Sequence, residues 1–291
     1  MASVDRLTCM THSLDLAAYF ARIGYTGSQA PTLATLNAIM EQHVQSIPFE
    51  NLDVLLNRPI SIESMAIEDK LVHQRRGGYC FEHNTLFLCM LEALGFTVTA
   101  ISARSRYQRT GKESLPRTHV FLRVELEGES YLVDVGFGGL SLTATLRLAL
   151  DVSQDTPHEP RRIVSEGRWD GFELRAPDAV LLHQAHFANS WHDLYEFTLE
   201  PMSPIDREMG NWYTSAHPGS HFREHLMVAR ATPDGRVTLC DSELIWRQRD
   251  GSAKSRILQT HRELLDTLAE HFGLHFPGNT RFGCPALTFT S

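Results

Sequence analysis

The hydrophobic period of the chain changes at Gly95. Before it, apolar residues recur at three- and four-residue intervals; after it, they fall in short runs rich in Val, Phe, Leu and Thr. A period near 3.6 buries one face of a helix, and a period of 2 buries one face of a strand. Leu16, Tyr19, Phe20 and Ile23, closed by Gly24, predict one helix. Leu33, Leu36, Ile39, Met40 and Val44, with Pro31 just ahead, predict a second. Residues 47–64 read as a proline-bounded connection. A short helix over 66–76 ends at Gly77-Gly78, and another begins at Cys80 and stops at Gly95.

Beyond residue 96, FTVTAISARS, THVFLRVEL and SYLVDVGF predict strands. The last two are separated by Glu127-Gly128-Glu129, which predicts a hairpin. ATLRLAL, RRIVSEG and GFELRAP extend the β region, interrupted by a polar, proline-bearing surface loop at 151–160. HLMVARAT, GRVTLCD and SELIWRQR predict further strands. In THRELLDTLAEHFGL, Thr260 and Glu263 stand at capping-box spacing and Gly273 ends the helix. Helices, then strands, then a mixed segment describe an α+β protein rather than a doubly wound sheet.

A chain of 291 residues implies two or three packed subdomains. Net charge is −8 with no basic block, which argues against nucleic acid and anionic membranes as partners. No run approaches the roughly 18 apolar residues of a membrane span. The start lacks a basic segment followed by a long apolar one, so a reduced, cytoplasmic protein is expected. Five scattered cysteines without CxxC spacing argue against a disulfide framework or a zinc ribbon.

Cys80 stands apart from the other four. In RRGGYCFEHN it follows two glycines, which allow positive φ and close backbone approach, and it heads an apolar helical run. A thiol there sits near unpaired N–H groups and the positive end of the helix dipole, which favours the thiolate. A nucleophilic thiol needs a base, and the base an orienting partner. His119 opens a strand, and Asp134 is a carboxylate inside an apolar strand, where burial demands a partner. If Gly128 centres the hairpin, residues summing to about 256 face each other. His119 and Asp134 fall three short of that sum, close enough to be neighbours through a bulge or shifted turn. A catalytic pair and a structural His–Asp hydrogen bond are both compatible with this spacing.

Seven segments together resemble the arylamine N-acetyltransferase family of bacterial type. They are RIGYTG (22–27), PTLATL (31–36), IPFENLDVLL (47–56), RRGGYCFEHN (75–84), PRTHVFLRV (116–124), YLVDVGFGG (131–139) and NWYTSAHPGSHF (211–222). The resemblance implies a helical N-terminal bundle (1–95), a central β-barrel-like domain (96–200) and a C-terminal α/β lid (201–291). It also implies a papain- or transglutaminase-like triad: Cys80 as nucleophile, His119 as base, Asp134 as the residue orienting the histidine. The implied reaction is ping-pong. Acetyl-CoA, a co-substrate and not a resident cofactor, acetylates Cys80; an arylamine, arylhydrazine or N-hydroxyarylamine then takes the acetyl group.

Further residues carry over one at a time. Phe137, Phe49 and Phe222 match aromatic residues of the acceptor pocket, although a core role is the plainer reading of each. Thr118, Gly136, Gly138 and Gly139 match positions beside the cofactor, where small residues admit the pantetheine arm. Arg76 and Glu50 match a bracing ion pair. No metal is implied. Two departures stand out: His83 replaces the usual Gln, and SLTATLRL replaces a proline-rich turn after GFGG. His83 reads as a neutral substitution at a hydrogen-bonding position, or else as a second base or part of a metal site with Cys80 and His119. Other readings are a Cys–His–Asp hydrolase or transglutaminase-like enzyme, and a non-catalytic scaffold. A monomer is expected, with a homodimer open.

Overall fold

The computed structural model describes residues 14–109, 115–165, 180–287 and 289. Of the predicted strands, GFELRAP lies outside the described residues. Helices α1 (Leu16–Ile23) and α2 (Leu33–Ser46) start at Asp15 and Thr32, whose side chains accept from backbone N–H groups of the first turn. Gly24 ends α1 at φ 72°, in the left-handed region that glycine enters without steric cost.

The segment read as a connection does more than connect. It contains strand β1 (Phe49–Glu50) and one helical turn, α3 (Leu52–Leu55). β1 pairs with a strand some 180 residues away, and no local pattern can report such a partner. α4 (Ser64–Glu68) runs on as a π-helical turn over Asp69–His73. α5 (Cys80–Ala93) is buried at every residue from 80 to 91, so it is a central helix rather than a surface one.

The seven strands β2 (Thr97–Ser105), β3 (His119–Leu126), β4 (Glu129–Val133), β5 (Leu146–Arg147), β6 (Arg161–Ser165), β7 (Leu181–Phe187) and β8 (Ser190–Pro201) form one sheet. Its order is β5-β4-β3-β2-β8-β7-β6, and every pairing is antiparallel. Bridges from Leu150 to Ile163 and from Gln154 to Arg161 bring its edges together, so the sheet nearly closes into a barrel. Sequence analysis does not predict β7 and β8, whose interior positions include His183 and Tyr195 among the apolar residues.

Helices α6 (Pro204–Ala216) and α7 (His221–Glu224) lead into a second sheet. There β9 (Met227–Thr232), β10 (Gly235–Cys240), β11 (Glu243–Gln248) and β12 (Ala253–Ile257) extend β1 in the order β1-β9-β10-β11-β12. Helix α8 (His261–Phe272) shares a core with it through Leu264, Leu265, Leu268 and Phe272; that core includes Leu52 and Leu55 of α3. The larger core joins the N-terminal helices to the barrel. The architecture is α+β, as the order of periods predicts. Among the described residues no helix is long and apolar enough to cross a membrane.

The 151–160 loop is only partly a surface loop. His158 and Glu159 are buried. Glu159 accepts from Arg236 Nε (2.7 Å) and Arg236 Nη2 (2.8 Å) of β10 and from Arg161 Nη2 (3.1 Å) of β6. Burial opposes ionisation of Glu159, but the two guanidiniums outweigh it and hold the carboxyl far below the usual range. The same arginines donate to the Leu140 and Ser141 carbonyls, each at 3.0 Å. One buried ion cluster thus ties the barrel, the second sheet and the turn after GFGG together.

Candidate active site

Cys80 is the first residue of α5. Tyr79 precedes it in extended conformation, and Glu82 Oε2 accepts from Tyr79 N at 3.0 Å, which caps the helix and fixes its start. The Tyr79 hydroxyl donates to Asn211 Oδ1 on α6. The two glycines ahead of Tyr79 are needed for close approach, not for positive φ, which neither adopts. A Cβ on Gly77 would lie 2.0 Å from the Pro48 carbonyl oxygen, and one on Gly78 would lie 2.5 Å from Glu82 Oε2. The predicted ion pair braces the same loop: Arg76 Nη2 lies 2.8 Å from Glu50 Oε1 and 3.1 Å from Asp53 Oδ1. Lys70 completes the cluster at 2.8 Å from Asp53 and 2.7 Å from Glu82.

A methyl group pressed into a backbone carbonyl cannot be relieved by a side-chain rotation. Gly77→Ala is therefore expected to destabilise the fold by about 1–3 kcal/mol and to slow any chemistry at Cys80. Urea denaturation followed by fluorescence would measure it, and an unchanged midpoint would show that the loop yields freely.

The β3–β4 hairpin forms as predicted, with Glu127 and Gly128 at φ 53° and 83° in a two-residue turn. Paired residues sum to 255, as in Leu122 with Val133. His119 and Asp134 are thus two residues out of direct register, at the open end of the hairpin. There the strand pairing has ended and Asp134 turns to meet the imidazole, with His119 Nε2 2.8 Å from Asp134 Oδ2. Both residues are buried. Asp134 Oδ1 accepts from Asn84 Nδ2 and from Gly136 N, each at 3.0 Å. Asn84 also donates to Val120 O at 2.7 Å and accepts from Val135 N at 3.1 Å. Asn84 lies one turn after Cys80 on α5, so one side chain locks the helix to both strands of the hairpin. Sequence analysis gave it no role, although it stands inside the quoted motif.

Cys80 is the second group, after Asp134, whose charge acts on the His119 imidazole. With Nε2 committed to Asp134, Nδ1 is the ring nitrogen left for the sulfur. Cys80 Sγ lies 3.6 Å from the Thr118 carbonyl oxygen. Burial opposes a charge on His119, but Asp134 and Cys80 outweigh it and raise the imidazole to about 10. The sign of the linkage follows. The stability this pairing confers is fully present below the unfolded value near ~6.5 and is lost as pH rises through about 10. The melting-temperature advantage of the wild type over His119→Gln is expected to be largest near pH 6 and to shrink by pH 10.5. A pH-independent difference would mean that His119 is neutral in the fold.

Phe137 meets the His119 ring edge-on at 4.9 Å. Tyr195 of β8, missed by sequence analysis, packs on His119 at 4.9 Å and on Phe137 at 5.1 Å. Phe49 and Phe222 meet at 6.1 Å, and Phe222 lies 5.5 Å from Tyr79. All three predicted acceptor-pocket aromatics are part-buried around the Cys80 helix head. The three glycines assigned to the cofactor face protein instead. A Cβ on Gly136 would lie 2.8 Å from Cys80 Cα, one on Gly138 3.4 Å from the Phe49 ring, and one on Gly139 2.7 Å from Thr238 Cγ2. Close packing at Gly136 and Gly139, and the left-handed φ of 66° at Gly138, account for glycine at each position without a ligand.

A cleft of about 630 Å³ reaches Thr118 and is walled by Arg117, Met202, Ile205, Met209 and Trp212. Among the described residues no group of three or more His, Cys, Asp and Glu side chains is arranged to hold a metal. His83 does not join Cys80 and His119; its ring nitrogens face Pro48 O and His43. Of the remaining cysteines, Cys9 lies outside the described residues. Cys89 is core, as predicted, but it is disulfide-bonded, which corrects the expectation of a fully reduced protein; spacing along the chain could not reveal it. Cys284 is a buried free thiol and Cys240 an exposed one.

The family model described as N-acetyltransferase matches residues 32–281. An arylamine N-acetyltransferase of Mycolicibacterium smegmatis is 42% identical, over 90% of this chain and 92% of its own length. A Salmonella typhimurium protein named arylamine N-acetyltransferase / N-hydroxyarylamine O-acetyltransferase is 38% identical, over 89% and 88%. The structure of Mycobacterium marinum arylamine N-acetyltransferase in complex with CoA superposes with a TM-score of 0.82 at 37% identity, covering 89% of this chain and 92% of that one.

Proposed function

The chain belongs to the arylamine N-acetyltransferase family, and on that premise we propose that it transfers acetyl groups from acetyl-CoA to aromatic amines through Cys80. The observation that carries the residue assignment is the buried Asp134–His119 hydrogen bond of 2.8 Å beside a thiol at a helix head, with Cys80 Sγ 3.6 Å from the carbonyl oxygen of the adjoining Thr118.

With the proton shared by the pair held on His119, Cys80 Sγ bonds to the acetyl carbonyl carbon. The tetrahedral intermediate collapses, the bond to the CoA sulfur breaks, and His119 returns the proton to CoA. The amine nitrogen then attacks the acetyl-cysteine and gives a proton to His119. The carbon–sulfur bond breaks, and Cys80 recovers its proton. An aniline nitrogen is nucleophilic when neutral, so the base is needed as the intermediate collapses. Backbone N–H groups at the start of α5 are the donors we assign to the oxyanion, each worth about 3 kcal/mol.

Thr118 stands both in the cleft wall and against Sγ, so the arm of acetyl-CoA approaches from that side. The acceptor ring lies on the other, among Phe137, Phe49 and Phe222. Arylhydrazines and N-hydroxyarylamines fit the same aromatic walls as further acceptors. The helical segment 1–95 carries the nucleophile, 96–200 the histidine and aspartate, and 201–291 the covering unit. The enzyme acts in the cytoplasm as a monomer.

Intact-protein mass spectrometry after brief mixing with acetyl-CoA alone tests this reading. One added acetyl group, discharged by an arylamine, is expected. Unmodified protein with acetyl-CoA left intact would refute it, and hydrolysis without amine transfer would point to a thiol hydrolase.

A further inference from the structure

His83 is the departure from the family pattern that the catalytic trio does not use. It lies one turn after Cys80 on α5 and is fully buried. Its Nε2 is 3.1 Å from Pro48 O, and its Nδ1 is 2.8 Å from His43 Nε2 on α2. His43, equally buried, places Nδ1 2.9 Å from the Tyr19 hydroxyl on α1. The far end fixes the direction of this line. A carbonyl oxygen accepts and cannot donate, so His83 Nε2 carries the proton. A neutral imidazole has one N–H, so His83 Nδ1 accepts and His43 Nε2 donates. His43 Nδ1 then accepts from Tyr19. Each ring nitrogen is satisfied with both imidazoles neutral, in keeping with burial, which lowers both and takes His83 to about 4.

The line ends at the residue beside an acceptor-pocket aromatic. The Phe49 ring stacks on His83 at 6.4 Å and 15° and meets Phe222 edge-on. The Pro48 carbonyl it holds is the atom that a Cβ on Gly77 would strike. Pro48–Phe49 is thus gripped between the glycine loop before the nucleophile and a rigid imidazole rising from the same helix as the nucleophile.

We propose that the Tyr19–His43–His83 line is a positioning device for the acceptor side: by holding the Pro48 carbonyl and the Phe49 ring, it sets affinity and selectivity for the aromatic acceptor. The inference rests on reading Phe49 as an acceptor-pocket residue. Each histidine has two side-chain torsions and a flat ring, whereas a glutamine side chain has three torsions along which to yield. His83 therefore narrows the permitted positions of Phe49 relative to Cys80.

The test separates the two half-reactions. In His83→Leu, acetylation of Cys80 by acetyl-CoA, followed by mass spectrometry, is expected to slow less than threefold. The KM for arylamines is expected to rise about tenfold, most for ring-substituted ones, and His83→Gln should recover part of it. Should His83→Leu fail to fold, His83→Gln and His43→Gln carry the same comparison, with an expected KM rise of about threefold. An unchanged acceptor KM in folded variants would overturn the proposal. So would an equal fall in both half-reactions, which marks a merely structural role. Absence of the acetyl adduct in the wild type would refute acyl transfer itself and this proposal with it; a normal adduct with unchanged KM overturns this proposal alone.

Discussion

Cys80→Ala is expected to lower acetyl transfer by at least about ten-thousandfold while leaving the fold in place. The sulfur is the atom that bonds to the acetyl carbon, and no neighbouring group can replace it. His119 would still be held by Asp134, but an imidazole reaching for a methyl group has nothing to deprotonate. The structural cost is small. Cys80 Sγ makes one long contact, 3.6 Å to Thr118 O, and the helix start is fixed by Glu82 and Tyr79. The melting temperature is expected to stay within about 4 °C of wild type. Mass spectrometry with acetyl-CoA would show no adduct, and steady-state assays with an arylamine would give the residual rate. Loss of less than tenfold, or an adduct on the variant, would move the nucleophile elsewhere.

Asp134→Asn is expected to cost about ten-thousandfold as well, for a reason specific to this site. Asn84 Nδ2 and Gly136 N both donate to Oδ1. That position must remain an oxygen, so the amide nitrogen of the variant faces His119 Nε2. Two donors cannot share a hydrogen bond. Nε2 becomes the acceptor, the imidazole proton moves to Nδ1, and the nitrogen facing Cys80 can no longer accept the thiol proton. The substitution preserves shape, so circular dichroism and the melting curve should remain close to wild type, apart from the lost ion pair. The rate of Cys80 acetylation measures the effect. A fall of less than about tenfold would mean that Asp134 does not set the tautomer.

The candidate trio was legible before the fold was known because each member broke a local rule. Cys80 followed two glycines at a helix head, and Asp134 put a charge inside an apolar strand. His119 opened the paired strand of the same short hairpin. The hairpin converts a separation of 15 residues into a contact of 2.8 Å, and its turn was readable from Glu127-Gly128. The register was readable to within a residue or so.

What escaped was carried by distant pairing. β1 belongs to the second sheet because residues near 228 lie alongside it, and nothing within 47–56 announces that. β7 and β8 hold buried polar residues such as His183 and Tyr195 at interior positions, which blurs the alternation by which strands are read. The role of the glycines also changed. Of the two reasons offered for Gly77 and Gly78, close approach holds and positive φ does not, and Gly136, assigned to the cofactor, is glycine because Cys80 and Asn84 occupy the space of a Cβ.

The sequence alone determined the order of helix and sheet, the caps, the hairpin and the candidate side chains of the site, since each depends on neighbours within a few residues. Only the tertiary structure decided which nitrogen of His119 meets Asp134, that Asn84 locks Asp134, and that His83 joins His43 rather than Cys80. Those outcomes depend on which buried donors and acceptors can satisfy one another once the helices pack against the barrel. Hydrogen-bond satisfaction in a dry core is a property of the assembled set, not of any segment.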